Sequence, residues 1–255
     1  MNTNSGLARS VPWLTGLILA AGVLSLLLLA IAGPGTRMDW WEFGTGFSLM
    51  RWGAWIGIAT LVLGILATVL LYRFHARRAL QMTLVGVICA AIAVVVPLQW
   101  RAQANQVPPI HDITTSPEDP PEFVEIASLR EDAPNPVEYA GEETAEAQRE
   151  AYPDLEPIRL AASSERVMEA ALEVAERMNW EIVHADSTAG KLEATATTFW
   201  FGFKDDVVIR IREDGEESVV DVRSKSRIGQ SDLGANAERI QTFRDHLLDL
   251  LEEGE

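Results

Sequence analysis

The sequence predicts three transmembrane α-helices followed by a soluble α+β domain of two layers, with an antiparallel sheet of about four strands and two helices on one face. Three observations predict this fold class. Three long apolar runs in the first 104 residues carry no charged residue. The same 104 residues hold seven arginines and two acids, whereas residues 105–255 hold 14 basic and 35 acidic residues. Beyond residue 158, apolar residues recur with the spacing of helices and strands.

Each apolar run is long enough to cross the hydrocarbon core of a bilayer, which takes about 20 helical residues. Tryptophan and tyrosine, which favour the membrane interface, stand near the ends of the runs. The predicted spans are residues 13–32, 53–72 and 80–98. We therefore interpret residues 1–104 as a membrane domain whose partner is the lipid bilayer.

The loops predict the orientation of the spans. Arg73, Arg77 and Arg78 lie between the second and third runs with no acid nearby, whereas the preceding loop is balanced in charge. Because basic loops stay on the cytoplasmic side, we expect a multi-pass protein of the inner (plasma) membrane. Its N-terminus is then cytoplasmic and its C-terminal domain extracytoplasmic, which means periplasmic in a Gram-negative cell.

The first run has two interpretations. It ends in Ala30-Ile31-Ala32, which is typical of signal-peptidase cleavage, but it is longer than the apolar part of a signal peptide. The length favours a retained helix, and cleavage would leave the later topology unchanged. The single cysteine, Cys89, lies in the third run, so that no disulfide forms within the chain.

Residues 105–160 are rich in proline and acid, which is typical of an extended segment. Short helices are expected near residues 123–129 and 142–152. The α+β domain then occupies residues 158–255. Its negative charge argues against nucleic acid as a partner, because phosphates would be repelled.

The soluble domain is predicted to run in the order helix, four strands, helix. Ser163 or Ser164 can cap the first helix, and the last helix begins near Asp232. Alternating apolar residues predict strands at residues 180–186, 191–200, 206–212 and 218–227. Short turns between them make the sheet antiparallel. One face is apolar and takes the helices, as in a helix-grip domain, and the charged face is expected to meet water.

Three strings in the soluble half resemble a known family. They read VPPIHDITT, KLEATATTFWFGFKDDVVIRIR and VDVRSKSRIGQSDLGANAERIQTF. In these strings the chain resembles the bacterial domain-of-unknown-function 1499 family, over about residues 105–250. The resemblance implies the domain boundary and a membrane-anchored member, and it implies no activity, catalytic residue or cofactor.

No catalytic, metal or cofactor site is recognisable in the sequence. Its four histidines stand far apart, and its one cysteine has no ligand at metal spacing. No nucleophile elbow or phosphate-binding loop occurs. His111 and Asp112 are adjacent, but neighbouring residues of an extended chain point to opposite faces, so we expect Asp112 to stabilise a turn.

The main candidate for a ligand site is the stretch that leads into the last helix. A helix N-terminus favours anions, and strand alternation brings several arginines to one sheet face. The candidate ligand-binding residues are Arg223, Arg227, Arg239, Arg210 and Arg212. The alternative is that Asp232 caps the helix and that the arginines pair with acids of this domain.

The aromatic run after the second predicted strand is another candidate. Phe199, Phe201 and Phe203 either cover the end of the core or form an apolar rim for lipid or a partner protein. Strand alternation would turn Phe199 and Phe201 outward.

The sequence favours a non-enzymatic membrane protein that presents an acidic extracytoplasmic binding domain at the cell envelope. Its partner would be an envelope protein, a lipid or a small anion. The alternative is an envelope hydrolase or transferase whose site cannot be recognised from the sequence.

Overall fold

In a computed structural model of the chain, residues 4–73 and 76–253 are described, with side chains from residue 12 onward. His75, one of the four histidines, lies outside the described residues. The chain forms two compact units. One is a helical unit up to Ala102 that also takes in Trp200–Gly202, and the other is a mixed unit formed by the remaining residues from Gln103 onward.

The helical unit confirms the three predicted apolar spans. Its helices are α1 (Asn4–Arg37), α2 (Phe43–Arg73) and α3 (Arg77–Ala104). Each is long and apolar enough to cross a membrane, by length and composition. The helices extend beyond the apolar runs, and α1 does so although it contains Pro12 and Pro34.

Glycines allow the three membrane helices to approach closely. A Cβ atom at Gly22 of α1 would lie 2.1 Å from the carbonyl oxygen of Gly86 of α3, so the two backbones touch at this point. A Cβ atom at Gly57 of α2 would lie 3.0 Å from the carbonyl oxygen of Ala90. Because lipid supplies no hydrophobic force between helices, close backbone packing of this kind holds a membrane bundle together.

The mixed unit is built on a six-stranded antiparallel sheet, in the order β1-β6-β5-β4-β3 with β2 also paired to β6. The strands are β1 (Asp112–Thr114), β2 (Ile158–Leu160), β3 (Glu181–Asp186), β4 (Lys191–Thr197), β5 (Lys204–Asp214) and β6 (Glu217–Ser226). The last four correspond to the predicted strands, which confirms the α+β fold class. The first two were not predicted, because three residues are too few to show an alternation.

The outer edge of β1 is closed by a side chain rather than by a strand. The buried amide of Gln148 donates from Nε2 to the carbonyl oxygen of Thr114 (2.6 Å). Its Oε1 accepts from the backbone N–H of Thr114 (3.0 Å). The amide thus replaces the neighbouring peptide that an edge strand lacks. Gln148 belongs to α4 (Glu142–Ala151), which follows a short 3-10 helix at Ile126–Arg130.

Two helices, α5 (Ser164–Arg177) and α6 (Ala235–Glu253), cover the apolar face of the sheet. The Oγ of Ser163 caps α5 by accepting from the backbone N–H of Arg166. Trp180 stacks on Phe243 with ring centroids 5.5 Å apart. The core between helices and sheet includes Val167, Ala171, Val174, Ile240, Leu247, Leu192, Ile209 and Val222. Burial of this face is the main force that holds the unit together.

Most of the charged face of the sheet is shielded from water, contrary to the expectation from its alternation, and Arg212 at one end of the face stays half exposed. Residues 116–140, here called the covering segment, bond to the side chains of this face. Phe123 and Ile126 of this segment form a small apolar cluster with Val208 of β5. The prediction failed because the cover contains no long helix or strand whose pattern could be recognised.

The close approach of α1 and α3 predicts a sensitive position in the membrane bundle. Gly86→Leu places a side chain where a backbone now lies, and overpacking of this kind costs about 1–3 kcal/mol. We expect a lower melting temperature for the detergent-solubilised protein. Gly16→Leu in α1 is the matched control, because a Cβ atom there meets nothing within 4 Å. Equal melting temperatures for the two variants would contradict the role of this contact.

Candidate functional site

The polar face of the sheet carries a buried ionic network centred on Asp112. The register of β1 and β6 places Asp112 opposite Lys225 and Thr114 opposite Arg223. The Asp112 carboxylate accepts two hydrogen bonds from Arg223, from Nε and Nη2, both of 2.9 Å. It lies 3.0 Å from the Nζ of Lys225. Arg223 is 2% exposed and Lys225 1% exposed, so that these charges interact out of contact with water.

Arg223 also holds the covering segment. It donates from Nη1 to the carbonyl oxygen of Pro121 (3.1 Å) and from Nη2 to that of Val137 (3.0 Å). Its guanidinium carbon lies 4.9 Å from the ring centroid of Phe123 and 5.4 Å from that of Tyr139. Cation–π contacts of this kind strengthen when water is excluded. One side chain thus binds both ends of the covering segment.

Asp206 of β5 is the second buried carboxylate of the network. Arg130, from the covering segment, donates to it from Nη1 (3.1 Å). Arg227 donates to it from Nε (2.9 Å) and Nη2 (2.8 Å). The hydroxyl of Thr195 donates to the same carboxylate (2.9 Å). Four donors thus replace water at a carboxylate that is fully buried.

Within the described residues, the network around Asp112 and Asp206 holds two more cations than carboxylates. Its cations are Arg130, Arg223, Lys225 and Arg227. Backbone carbonyl oxygens take up further donors of these cations, including the carbonyl of Glu138, which accepts from Lys225. Burial lowers the pKa of Lys225, because it penalises the ammonium form. The negative ends of the carbonyl dipoles therefore compensate the excess of positive charge that the two carboxylates leave.

Tyr139 lies beside this network. Burial raises its pKa to about 12, with a further contribution from the negative charge of Asp112. Among the described residues its hydroxyl has no hydrogen-bond partner. The ring therefore acts through its contact with Arg223, and the phenol stays neutral.

Carboxylates on neighbouring strands extend the network. The Oδ2 of Asp221 accepts from Arg210 (2.8 Å) and from Arg212 (2.7 Å). The carboxylate of Glu193 accepts from the backbone N–H groups of Val124 and Ile126, both at 2.8 Å. The second contact positions the covering segment above β4.

The structure does not bring the five predicted ligand-binding arginines together. Arg223, Arg227, Arg210 and Arg212 lie on the polar face of the sheet, whereas Arg239 projects from α6 on the other side. Each is paired with a carboxylate. The carboxylate of Asp232 caps α6 by accepting from the backbone N–H groups of Gly234 and Asn236. Pairing and capping are the alternative that the sequence left open, and anion binding by these arginines stays a prediction.

The aromatic run forms a turn rather than the end of a strand. The strand pattern stops at Thr197, and Gly202 adopts a φ of 71°, which reverses the chain. Phe199 is 89% exposed, whereas Phe201 is buried and Phe203 is partly buried. Phe199 is thus exposed as expected, whereas Phe201 is buried outside the core of the sheet, because alternation does not continue through a turn. A role of the three rings as a rim for lipid or protein stays a prediction.

A cleft of about 420 Å³ lies beside the N-terminal half of α6. Its lining comes from the turn between α5 and β3, from the end of β4 and from one side of α6. The lining residues are Met178, Asn179, Trp180, Ala196, Thr197, Ala235, Glu238, Arg239 and Thr242. Sequence reasoning singled out only Arg239 from this set as a site residue, because three segments far apart in the chain meet here.

Two comparisons bear on the identity of the chain. A search among curated proteins finds no match. The model of the family described as protein of unknown function (DUF1499) matches residues 112–247. This range is more than half of the chain, and it begins at Asp112 in β1 and ends within α6. The chain therefore belongs to the DUF1499 family.

Proposed function

We propose that this protein is a membrane-anchored binding protein whose soluble domain lies outside the cytoplasm and takes up a small molecule in the cleft beside α6. The cleft is the observation that carries the proposal. Its volume of about 420 Å³ falls in the range of small-molecule sites, about 300–1,000 Å³. It combines an apolar floor with polar groups from three segments, as such sites do.

The wall formed by α6 is held firmly against the sheet. Asn236, at the start of this helix, is fully buried. Its Nδ2 donates to the carbonyl oxygen of His111 (3.1 Å) and to the hydroxyl of Ser226 (3.0 Å). Its Oδ1 accepts from the hydroxyl of Ser224 (2.7 Å). A rigid wall supports binding, because little side-chain freedom is lost when a ligand enters.

The ionic network on the opposite face supports the same proposal. Its carboxylates and arginines bond to one another and to the covering segment, so that the face is closed around Asp112 and Asp206. The cleft is the more open of the two regions. A small molecule therefore fits the structure better than an envelope protein bound along the arginine face.

The arginine loop between α2 and α3 predicts an extracytoplasmic C-terminus. We expect a fusion of alkaline phosphatase after Glu255 to be active, because this enzyme folds only outside the cytoplasm. A green fluorescent protein fused at the same position should stay dark. As a control, Arg73→Glu, Arg77→Glu and Arg78→Glu together should weaken this preference. Bright fluorescence without phosphatase activity in the parent would contradict the proposed location.

Filling the cleft tests the binding part of the proposal. Thr242→Trp projects a large ring into the cleft, and His246→Trp, one turn further along the same side of α6 and outside the cleft lining, is the matched control. Full-length protein in phosphatidylcholine nanodiscs is melted with a neutral, an anionic and a cationic probe. We expect one class to raise the melting temperature of the parent and of His246→Trp but not of Thr242→Trp. If every class leaves the parent unchanged, the cleft is not a binding site.

A further inference from the structure

The cleft beside α6 has no excess of positive charge. Arg239 is its one cation among the lining residues. The Nη2 of Arg239 donates to the carboxylate of Asp205 at 2.6 Å, and its Nη1 donates to the hydroxyl of Ser224 at 2.9 Å. Asn236 accepts a further bond from the same Nη1. The positive charge of Arg239 is thus already balanced by the carboxylate of Asp205 when the cleft is empty.

The remaining charge on the wall is negative. Glu238 is exposed at the mouth of the cleft, four residues before Thr242 on the same side of α6. With Asp205 behind Arg239, an anion entering the cleft meets two carboxylates and one cation. A cation, in turn, would be placed next to the guanidinium of Arg239. Among the lining residues the charges of Glu238 and Arg239 balance, so a ligand without net charge matches the cleft best.

The uncharged polar groups of the wall both donate and accept hydrogen bonds. Asn179 offers an amide, and Thr197 and Thr242 offer hydroxyls. The floor is apolar and consists of Met178, Ala196 and the edge of Trp180, whose ring is held by stacking on Phe243. A ligand for such a cleft carries groups that both donate and accept hydrogen bonds. It also carries C–H groups that pack on the apolar floor.

We infer that the cleft binds a neutral, hydroxyl-rich ligand of the saccharide class. This inference rests on the proposed function of the cleft and names its ligand. A hydroxyl of the ligand donates to Glu238 and accepts from Arg239, so that both charged groups are satisfied without a charge on the ligand. The ring C–H groups lie on the apolar floor, where they replace water.

The test measures binding by isothermal titration calorimetry. The full-length protein is placed in phosphatidylcholine nanodiscs, because the head groups of glycoside detergents would compete. The probes are glucose, galactose, mannose, N-acetylglucosamine and their common disaccharides, with phosphate and citrate as anions. We expect a saturable saccharide signal whose Kd does not change between low and high salt, since no net charge is paired.

Glu238→Gln separates a neutral ligand from an anion. For a saccharide, loss of the charged acceptor should raise the Kd on the order of tenfold, because a hydrogen bond to a charged group is stronger than one to an amide. For an anion, removal of a like charge should lower the Kd. Glu252→Gln is the matched control, because Glu252 is exposed near the end of α6. It should leave the Kd for a saccharide and the Kd for an anion unchanged.

The outcomes separate the two proposals. Saccharide binding that is lost in Thr242→Trp and weakened in Glu238→Gln supports both. Binding of phosphate or citrate that is lost in Thr242→Trp and strengthened in Glu238→Gln overturns the saccharide inference, and the proposed function still stands. If no saccharide and no anion binds to the parent, the saccharide inference is overturned, and the proposed function is contradicted as well when the cationic probe also leaves the melting temperature of the parent unchanged.

Discussion

Asp112 stands at the start of the first strand, with Arg223 on one side and Lys225 on the other, and all three side chains are sealed from water. Such a group of charges is not more stabilising than an apolar cluster of the same size, because burial removes the hydration of every charge. Removing one member is different, since the others are then left without a partner. The loss is about 3–5 kcal/mol for a buried pair. The ionic contact therefore specifies one arrangement of the chain more than it adds stability.

The ionic contact is needed because β1 and the covering segment have little regular structure that would fix their positions by themselves. β1 has three residues, and the covering segment holds only a five-residue 3-10 helix. Neither offers an apolar stripe that would direct its packing. The bonds of Arg223 to the carbonyl oxygens of Pro121 and Val137, and those of Glu193 to backbone N–H groups, supply the missing direction. The charged side chains of the sheet thus fix the path of the irregular covering segment.

The sequence predicted those parts of the structure that depend on local periodicity. The three apolar helices, the strands β3 to β6 and the helices α5 and α6 each show their own pattern. The alternation in β6 also placed Arg223 and Lys225 on the polar face correctly. It could not show that this face is buried, because Asp112 and Arg223 are 111 positions apart and no local pattern joins them. The cleft escaped prediction for the same reason, since Trp180, Thr197 and Thr242 come from separate elements.

Asp112 is the residue that holds the covering segment on the sheet, and amide hydrogen exchange of the full-length protein measures this hold. Asp112→Asn keeps the shape of the side chain and leaves Arg223 and Lys225 without their carboxylate. We predict that amides of residues 116–140 then exchange faster on the order of a hundredfold, as expected from a loss of about 3 kcal/mol, while α5 keeps its protection. Asp132→Asn, in the same segment but with an exposed side chain, should leave exchange unchanged. Unaltered exchange of the covering segment in Asp112→Asn, or equal acceleration in both variants, would contradict the account.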